Sequence, residues 1–401
     1  MLVMRDFFLR RSCLFWVLVA LCVGSFGCEQ KEDSEQGENT EKGGEEVGGW
    51  KTSEWLMTRG GKQLQGRVRD KSPDQPKVLW TFEMESPGRA EAAIGDGVIY
   101  VGDAIGNVYA IDMEAQEARW KFVTDGSVLA APALSPEVVV VASSDAMVYG
   151  LDRESGEKRW AFEGEDKFTA GPIIQKSSDG KEEWVLVNCY DGTSHCLRLR
   201  DGTTVWDYNT GYYLNGASAV LDDTLVVFGG CDAMVYGLDL SSGEPALQVE
   251  TEAQITNSGA TAGSVMYCGN HAHQVVAADV LSEEILWVYE GGEFPFEAAP
   301  ALNDDTVYIG GGDKNLHAIS RKTGEGTWKF RTGGRVEGAP LAFDDAVVFG
   351  SKDGRLYGVN AADGTERWRL DLGEGLVASP AFANGQIVIA GDDGTVFVVG
   401  E

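Results

Sequence analysis

Trp328-Lys-Phe-Arg331, Gly338-Ala-Pro-Leu-Ala342, Asp345-Ala-Val-Val-Phe-Gly350, Asp353-Gly-Arg-Leu-Tyr-Gly-Val-Asn360 and Gly364-Thr-Glu-Arg-Trp368 follow one another in this chain. They are short apolar runs parted by turn residues, and the tryptophan that opens the stretch returns at its end. Followed outward in both directions, the same position holds Trp80, Trp120, Trp160, Trp206, Leu247, Trp287, Trp328 and Trp368, at steps of 40, 40, 46, 41, 40, 41 and 40 residues. A period of about 40 residues is that of one four-stranded propeller blade, a sheet that cannot bury both faces until neighbours stack on it. The Asp-Gly pairs at 191–192, 353–354 and 393–394 suit tight hairpins between strands two and three, because glycine accepts positive φ and the flanking runs are rich in Val, Tyr and Phe.

First-strand segments begin near Ala92, Ala131, Gly171, Ala217, Ser258, Ala298, Gly338 and Ala378, which makes eight units. The eighth reaches Glu401 without a fourth strand, while Trp80-Thr-Phe-Glu83 has no unit of its own. Joining the two predicts an all-β, eight-bladed β-propeller over residues 78–401. The N-terminal strand completes the last blade and leaves no sheet edge open at the seam.

Several tryptophans are approached by one spelling: Gly150-Leu-Asp152, Gly156, Trp160; Gly237-Leu-Asp239, Gly243, Leu247; Ala318-Ile-Ser320, Gly324, Trp328. A flat indole can lie on the next blade while its N–H finds a backbone acceptor, the small residue makes room, and Asp or Ser fastens the turn. The eight anchor positions are therefore read as structural. This pattern resembles the tryptophan-docking motif of the pyrroloquinoline-quinone (PQQ) repeat superfamily, which includes quinoprotein alcohol dehydrogenases and BamB-type lipoproteins of outer-membrane protein assembly. The resemblance covers residues 78–401 and is specific for architecture, far less for activity. Departures are Gln116 and Glu283 where Gly is usual, Leu247 for Trp, and a shortened approach to Trp206.

Residues 1–27 carry Arg5, Arg10 and Arg11, an apolar run from Cys13 through Val23, and Gly24-Ser-Phe-Gly27 before Cys28, the anatomy of a secretory signal. Cys28 after a small residue resembles a bacterial lipobox, although Ser25 and Phe26 depart from the usual spelling; the reading is lipid attachment at Cys28, with cleavage to a soluble protein as the alternative. Residues 28–49, with eight acids and two lysines after Cys28, read as an acidic disordered tether. Glu29 is not the aspartate that signals inner-membrane retention in some bacteria, which favours the outer membrane, facing the periplasm. Residues 50–77 form an extension in which Trp55-Leu-Met-Thr-Arg59-Gly60 resembles a Trp-Pro-x-x-Arg-Gly segment of bacterial members, and it is expected to dock on the propeller's outside.

The net charge is −30, and with the signal's +2 and the tether's −6 set aside the remainder carries −26. Phosphate backbones are repelled, so nucleic acid is excluded as a partner. Of seven cysteines, Cys189, Cys196, Cys231 and Cys268 fall in the propeller. A two-residue turn would pair 190 with 193 and 189 with 194, which puts Cys196 out of register with Cys189, so buried free thiols are expected. Asn270-His271-Ala-His273 lies in a blade-five hairpin turn at the same end of the ring as Cys231, but no spacing matches a closed zinc set and no metal is expected. His195 and His317 fall within strands and read as structural.

By resemblance, a quinoprotein dehydrogenase needs a vicinal disulfide, a tryptophan under its cofactor, calcium ligands and a catalytic Asp. No two cysteines here are adjacent, and of eleven tryptophans seven are anchors, Trp16 lies in the signal, Trp50 and Trp55 precede the ring, and Trp184 sits in a strand. The reading is therefore non-enzymatic, without cofactor: a monomeric, lipid-anchored scaffold that binds an envelope protein, a β-barrel assembly component by resemblance. Candidate contacts are the aromatics of loops entering the first strands, Phe168, Tyr212, Tyr213, Phe294 and Phe296, unless they plug the channel. A small-ligand or sensor propeller is the alternative, with a quinoprotein dehydrogenase behind it.

Overall fold

The computed structural model describes residues 54–401; the signal segment, Cys28 and the acidic tether lie outside the described residues. Those described form eight four-stranded antiparallel sheets. Blade one consists of Ala93–Gly95, Val98–Gly102, Asn107–Asp112 and Glu117–Val123, and the pattern repeats around the ring. Blade eight joins Ala381–Ala383, Gln386–Ala390 and Thr395–Gly400 to Lys77–Glu83, with Phe82 opposite Val396, so the ring closes as the sequence predicts. Among the described residues no helix is long and apolar enough to cross a membrane.

Burial follows position in the blade. Val98–Gly102 and Val138–Ala142 are buried throughout, because neighbouring sheets cover both faces of an inner strand, whereas Lys158–Glu163 alternates, because the outermost strand lends an edge to water. In all eight blades the ladder slips by one residue just before the anchor position. This bulge re-aims the side chain and sets the anchors of blades one to seven opposite Ala110, Gly150, Cys196, Gly237, Ala277, Ala318 and Gly358. Cys196 is thus the small residue of its blade.

Each indole then reaches across to the next blade. Nε1 of Trp120, Trp160, Trp206, Trp287 and Trp328 donates to the carbonyls of Arg153, Leu199, Leu240, Arg321 and Ala361 at 2.8–3.1 Å. Trp368 donates to Pro73 at 2.8 Å, because residues 72–76 supply the turn that blade eight lacks. Gly324 shows why glycine is needed in these turns: it sits at φ +73 with its α-carbon against the Trp287 ring. Gln116 and Glu283 hold the same left-handed conformation at φ 60 and 56. The approach to Trp206 is not shortened: Gly202 N donates to Arg198 O as Gly156 N does to Asp152 O, with Arg replacing Asp.

Residues 54–68 correct the expected outside docking. They form a strap across the innermost strands at the end away from the Asp-Gly hairpins. Carbonyls of Trp55, Leu56, Lys62, Gln63, Gln65 and Gly66 accept from the amides of Ile94, Leu134, Val220, Thr261, Leu302 and Ala342, one in each of six blades, at 2.7–2.9 Å. Innermost strands are sheet edges with unpaired backbone groups, and the strap satisfies them. Its own Trp55, Leu56, Leu64 and Val68 are buried.

Candidate protein-binding face

In four blades the hairpin end of the ring is stiffened by one device. In blade two the turn carboxylate of Asp145 accepts from Tyr149 Oη, four residues on, at 2.8 Å; Asp353 and Tyr357 do the same at 2.7 Å, as do Asp232 and Tyr236, and Asp313 meets His317 Nε2 at 3.0 Å. Burial, then the adjacent carboxylate, pushes the Tyr149, Tyr236 and Tyr357 hydroxyls up, so they stay neutral donors.

The five aromatic candidates divide. Tyr212, Tyr213 and Phe294 are 58%, 54% and 49% exposed, and Tyr213 stacks on Tyr190 at 4.5 Å with Lys167 Nζ 4.1 Å above the Tyr190 ring. Phe168 and Phe296 are 1% and 0% exposed and cannot present a surface, which corrects that expectation. Their amides donate to Ser143 O and Asn270 O, the bond that Val128, Ile255, Val336 and Leu376 make in other blades. They fill the buried position that follows each outer strand, and Phe296 lies over Gly269 as Val336 lies over Gly310.

The axial channel contains a polar cavity of about 210 Å³ lined by Thr58, Arg59, Glu91, Asn257, Glu297 and Glu337, among others. Glu91 is buried and accepts from Trp55 Nε1 at 2.7 Å, Thr58 Oγ1 at 3.0 Å and Arg59 N at 3.0 and 3.1 Å. Burial pushes Glu91 up against the counter-pull of the Arg59 charge, and lowers Arg59 in turn. Arg59 Nη2 donates to Pro340 O at 2.5 Å, while its Nε and Nη1 are buried without a partner.

Two features escaped the sequence reading. Among the described residues the cysteines are free, but the blade-three turn has a different register: Asn188 pairs with Ser194 and Cys189 N donates to Thr193 O, leaving a three-residue turn with Gly192 at φ +96. That turn gathers Cys189, Asp191 and His195, with one ligand atom from each within 4.8 Å of the others. His271, by contrast, meets Thr256 Oγ1 at 3.0 Å, and His273 takes the turn's left-handed position. The second feature is the outer strand of blade five, Glu284–Tyr289, which exposes Ile285, Leu286 and Val288. Its spelling, Glu-Ile-Leu-Trp-Val-Tyr, against Glu-Arg-Trp-Arg-Leu-Asp in blade seven, was the available signal.

Three overlapping stretches, residues 64–213, 190–329 and 293–400, match the family model described as outer membrane protein assembly factor BamB. No curated protein sequence matches the chain. Among solved structures, BamB from Moraxella catarrhalis is 18% identical over 82% of this chain and 100% of that one, with a TM-score of 0.69. A europium-containing methanol dehydrogenase is 11% identical over 88% and 98%, at 0.74, and the quinohemoprotein alcohol dehydrogenase from Comamonas testosteroni 14% identical over 87% and 81%, at 0.72. At these identities the three share a fold, which serves binding proteins and enzymes alike. The family match spans the whole ring, and the chain belongs to the family of outer membrane protein assembly factor BamB.

Proposed function

We propose that this protein is a non-enzymatic envelope scaffold, anchored by lipid at Cys28 to the outer membrane, that binds a component of β-barrel assembly through the hairpin end of its ring. The observation that carries this reading is the exposure of Tyr212, Tyr213 and Phe294 on loops whose ends are fixed by the ring. Aromatic anchors on a preorganised backbone lose little conformational entropy on binding and bury a large area each. The mechanism is noncovalent capture, with acidic turns around the aromatics steering a basic partner surface. The test is affinity capture of the native, detergent-extracted protein from its own envelope, read by mass spectrometry, with Cys28→Ala and Tyr213→Ala/Phe294→Ala variants whose folding is checked by circular dichroism. Recovery of an assembly barrel that the aromatic variant loses supports the reading; recovery unchanged by that variant overturns this face as the contact.

A small-ligand propeller is a second reading, favoured by one observation: the two partnerless Arg59 nitrogens beside the polar axial cavity. It predicts saturable binding of a small carboxylate that Arg59→Met abolishes.

A further inference from the structure

We propose that Cys189, Asp191 and His195 bind a thiophilic divalent cation of the zinc class at the hairpin of blade three. Cys189 follows strand two, Glu183–Asn188; Asp191 lies in the turn; His195 lies on strand three, Thr193–Arg198. The sulfur, a carboxylate oxygen and a ring nitrogen lie within 4.8 Å of one another. Bonds of about 2.0–2.3 Å to a tetrahedral ion put ligand atoms roughly 3.3–3.8 Å apart, so closing the site takes side-chain shifts of about an ångström.

The imidazole supplies the independent observation. His195 Nδ1 meets Asp207 Oδ1 at 2.7 Å, while Nε2 is buried and has no hydrogen-bond partner. A carboxylate behind Nδ1 fixes the tautomer and leaves the Nε2 lone pair unused, the arrangement that orients metal-bound histidines. Phe162 and Phe168 hold the ring at centroid distances of 4.9 and 6.0 Å. Blade six provides the contrast: His317, at the same place in its hairpin, sets Nε2 on both Asp313 oxygens at 3.0 and 3.1 Å, and Gly311 stands where blade three has Cys189. Blade three has exchanged a closed Asp–His pair for an open imidazole and a thiol.

The chemistry selects the ion. A thiolate and a carboxylate together neutralise a divalent charge, so a loaded site adds no net charge to a buried position. Sulfur and imidazole donors favour zinc over calcium or magnesium, which take oxygen. Half-buried Asp191 leaves the fourth coordination position to solvent. Loading would pin the turn that carries Tyr190, the ring on which Tyr213 stacks.

The test is titration of the full-length, detergent-solubilised, chelator-treated protein with Co²⁺, read by the sulfur-to-cobalt charge-transfer band, followed by displacement with Zn²⁺. One equivalent is expected for the wild type and for Cys231→Ser, with the band lost in Cys189→Ser and in His195→Gln. Asp207→Asn, which keeps all three ligands, is expected to weaken binding by about 10–100-fold and remains informative if Cys189→Ser fails to fold. A folded wild type without the band, or a band that persists in Cys189→Ser, overturns the proposal.

Discussion

Glu91→Ala should release the strap while leaving the ring closed. Glu91 is the counter-charge to a buried guanidinium and accepts from two further strap side chains, Trp55 and Thr58. The Arg59 guanidinium acts on Glu91 through the low-dielectric interior and donates to Pro340 O instead, so losing the carboxylate leaves that buried charge less compensated and the Arg59 amide without its acceptor. Partnerless Trp55 and Thr58 donors would each add about 1–3 kcal/mol, although these losses overlap once the strap detaches. A docking loss of about 4 kcal/mol corresponds to roughly a thousandfold in the opening equilibrium. The assay is hydrogen exchange at Ile94, Leu134, Val220, Thr261, Leu302 and Ala342, whose amides donate to strap carbonyls. These six should lose protection together by about that factor, while inner-strand amides such as Val140 keep theirs. Glu91→Ala/Arg59→Met should recover only the part due to the uncompensated charge, since the Trp55 and Thr58 donors stay without their acceptor. Exchange at the six amides within a few-fold of wild type in Glu91→Ala would refute the reasoning.

Trp160→Phe strips the donor from the Leu199 carbonyl 2.8 Å away and part of the indole area, and should cost about 2–3 kcal/mol in urea denaturation. Gly324→Ala puts a methyl 2.7 Å from the Trp287 ring at φ +73 and should cost at least about 1 kcal/mol, whereas Gln116→Gly, which relieves a left-handed non-glycine, should be neutral or slightly stabilising. The turn carboxylates of Asp152 and Asp201 are held near 2, chiefly by the Ser155 amide and the Thr203 hydroxyl. Folded values below the unfolded ones mean that their stabilisation is complete above the ordinary carboxylate range of about 4 and is lost as pH falls towards 2. The thermal midpoint, measured in high salt to damp the net charge, should therefore drop between those limits, and a flat or rising midpoint would count against these turns.

Fold and seam were legible because the stacking requirement repeats: each anchor needs a small cross-strand partner and a turn glycine, so the period survives even where Leu247 or Glu283 departs from it. The strap was not legible, because its partners run from Ile94 to Ala342 and no local pattern announces pairing at such separations. Phe168 and Phe296 were misread although a signal existed: aligned on the anchors they fall with Val128, Ile255, Val336 and Leu376, an apolar column that marks a buried position. The metal candidates were hidden by one residue of register. A two-residue turn places Cys189 opposite 194, whereas the three-residue turn places it opposite Thr193 and draws His195 to the same mouth.

In a closed ring the strands are committed to stacking, so binding specificity must reside where the repeat's own rules are broken. Blades three and five break them most. Blade three gives up the aspartate–ring pair for Cys189 and a free imidazole nitrogen, and carries the Tyr190–Tyr213 stack at its mouth. Blade five has Ala272 and Val276 where other blades carry that pair, puts Glu283 in a glycine position, and presents an apolar outer strand to water. An unprotected apolar edge invites pairing with an extended partner segment. Leu286→Lys should therefore weaken partner capture without moving the melting temperature. Its combination with Tyr213→Ala decides between two geometries: losses that add within about 0.5 kcal/mol mean independent contacts, whereas strong non-additivity means one partner segment spanning from the hairpin end to the edge of blade five. If Leu286→Lys leaves capture untouched, the edge is only a folding remnant and binding belongs to the hairpin end alone.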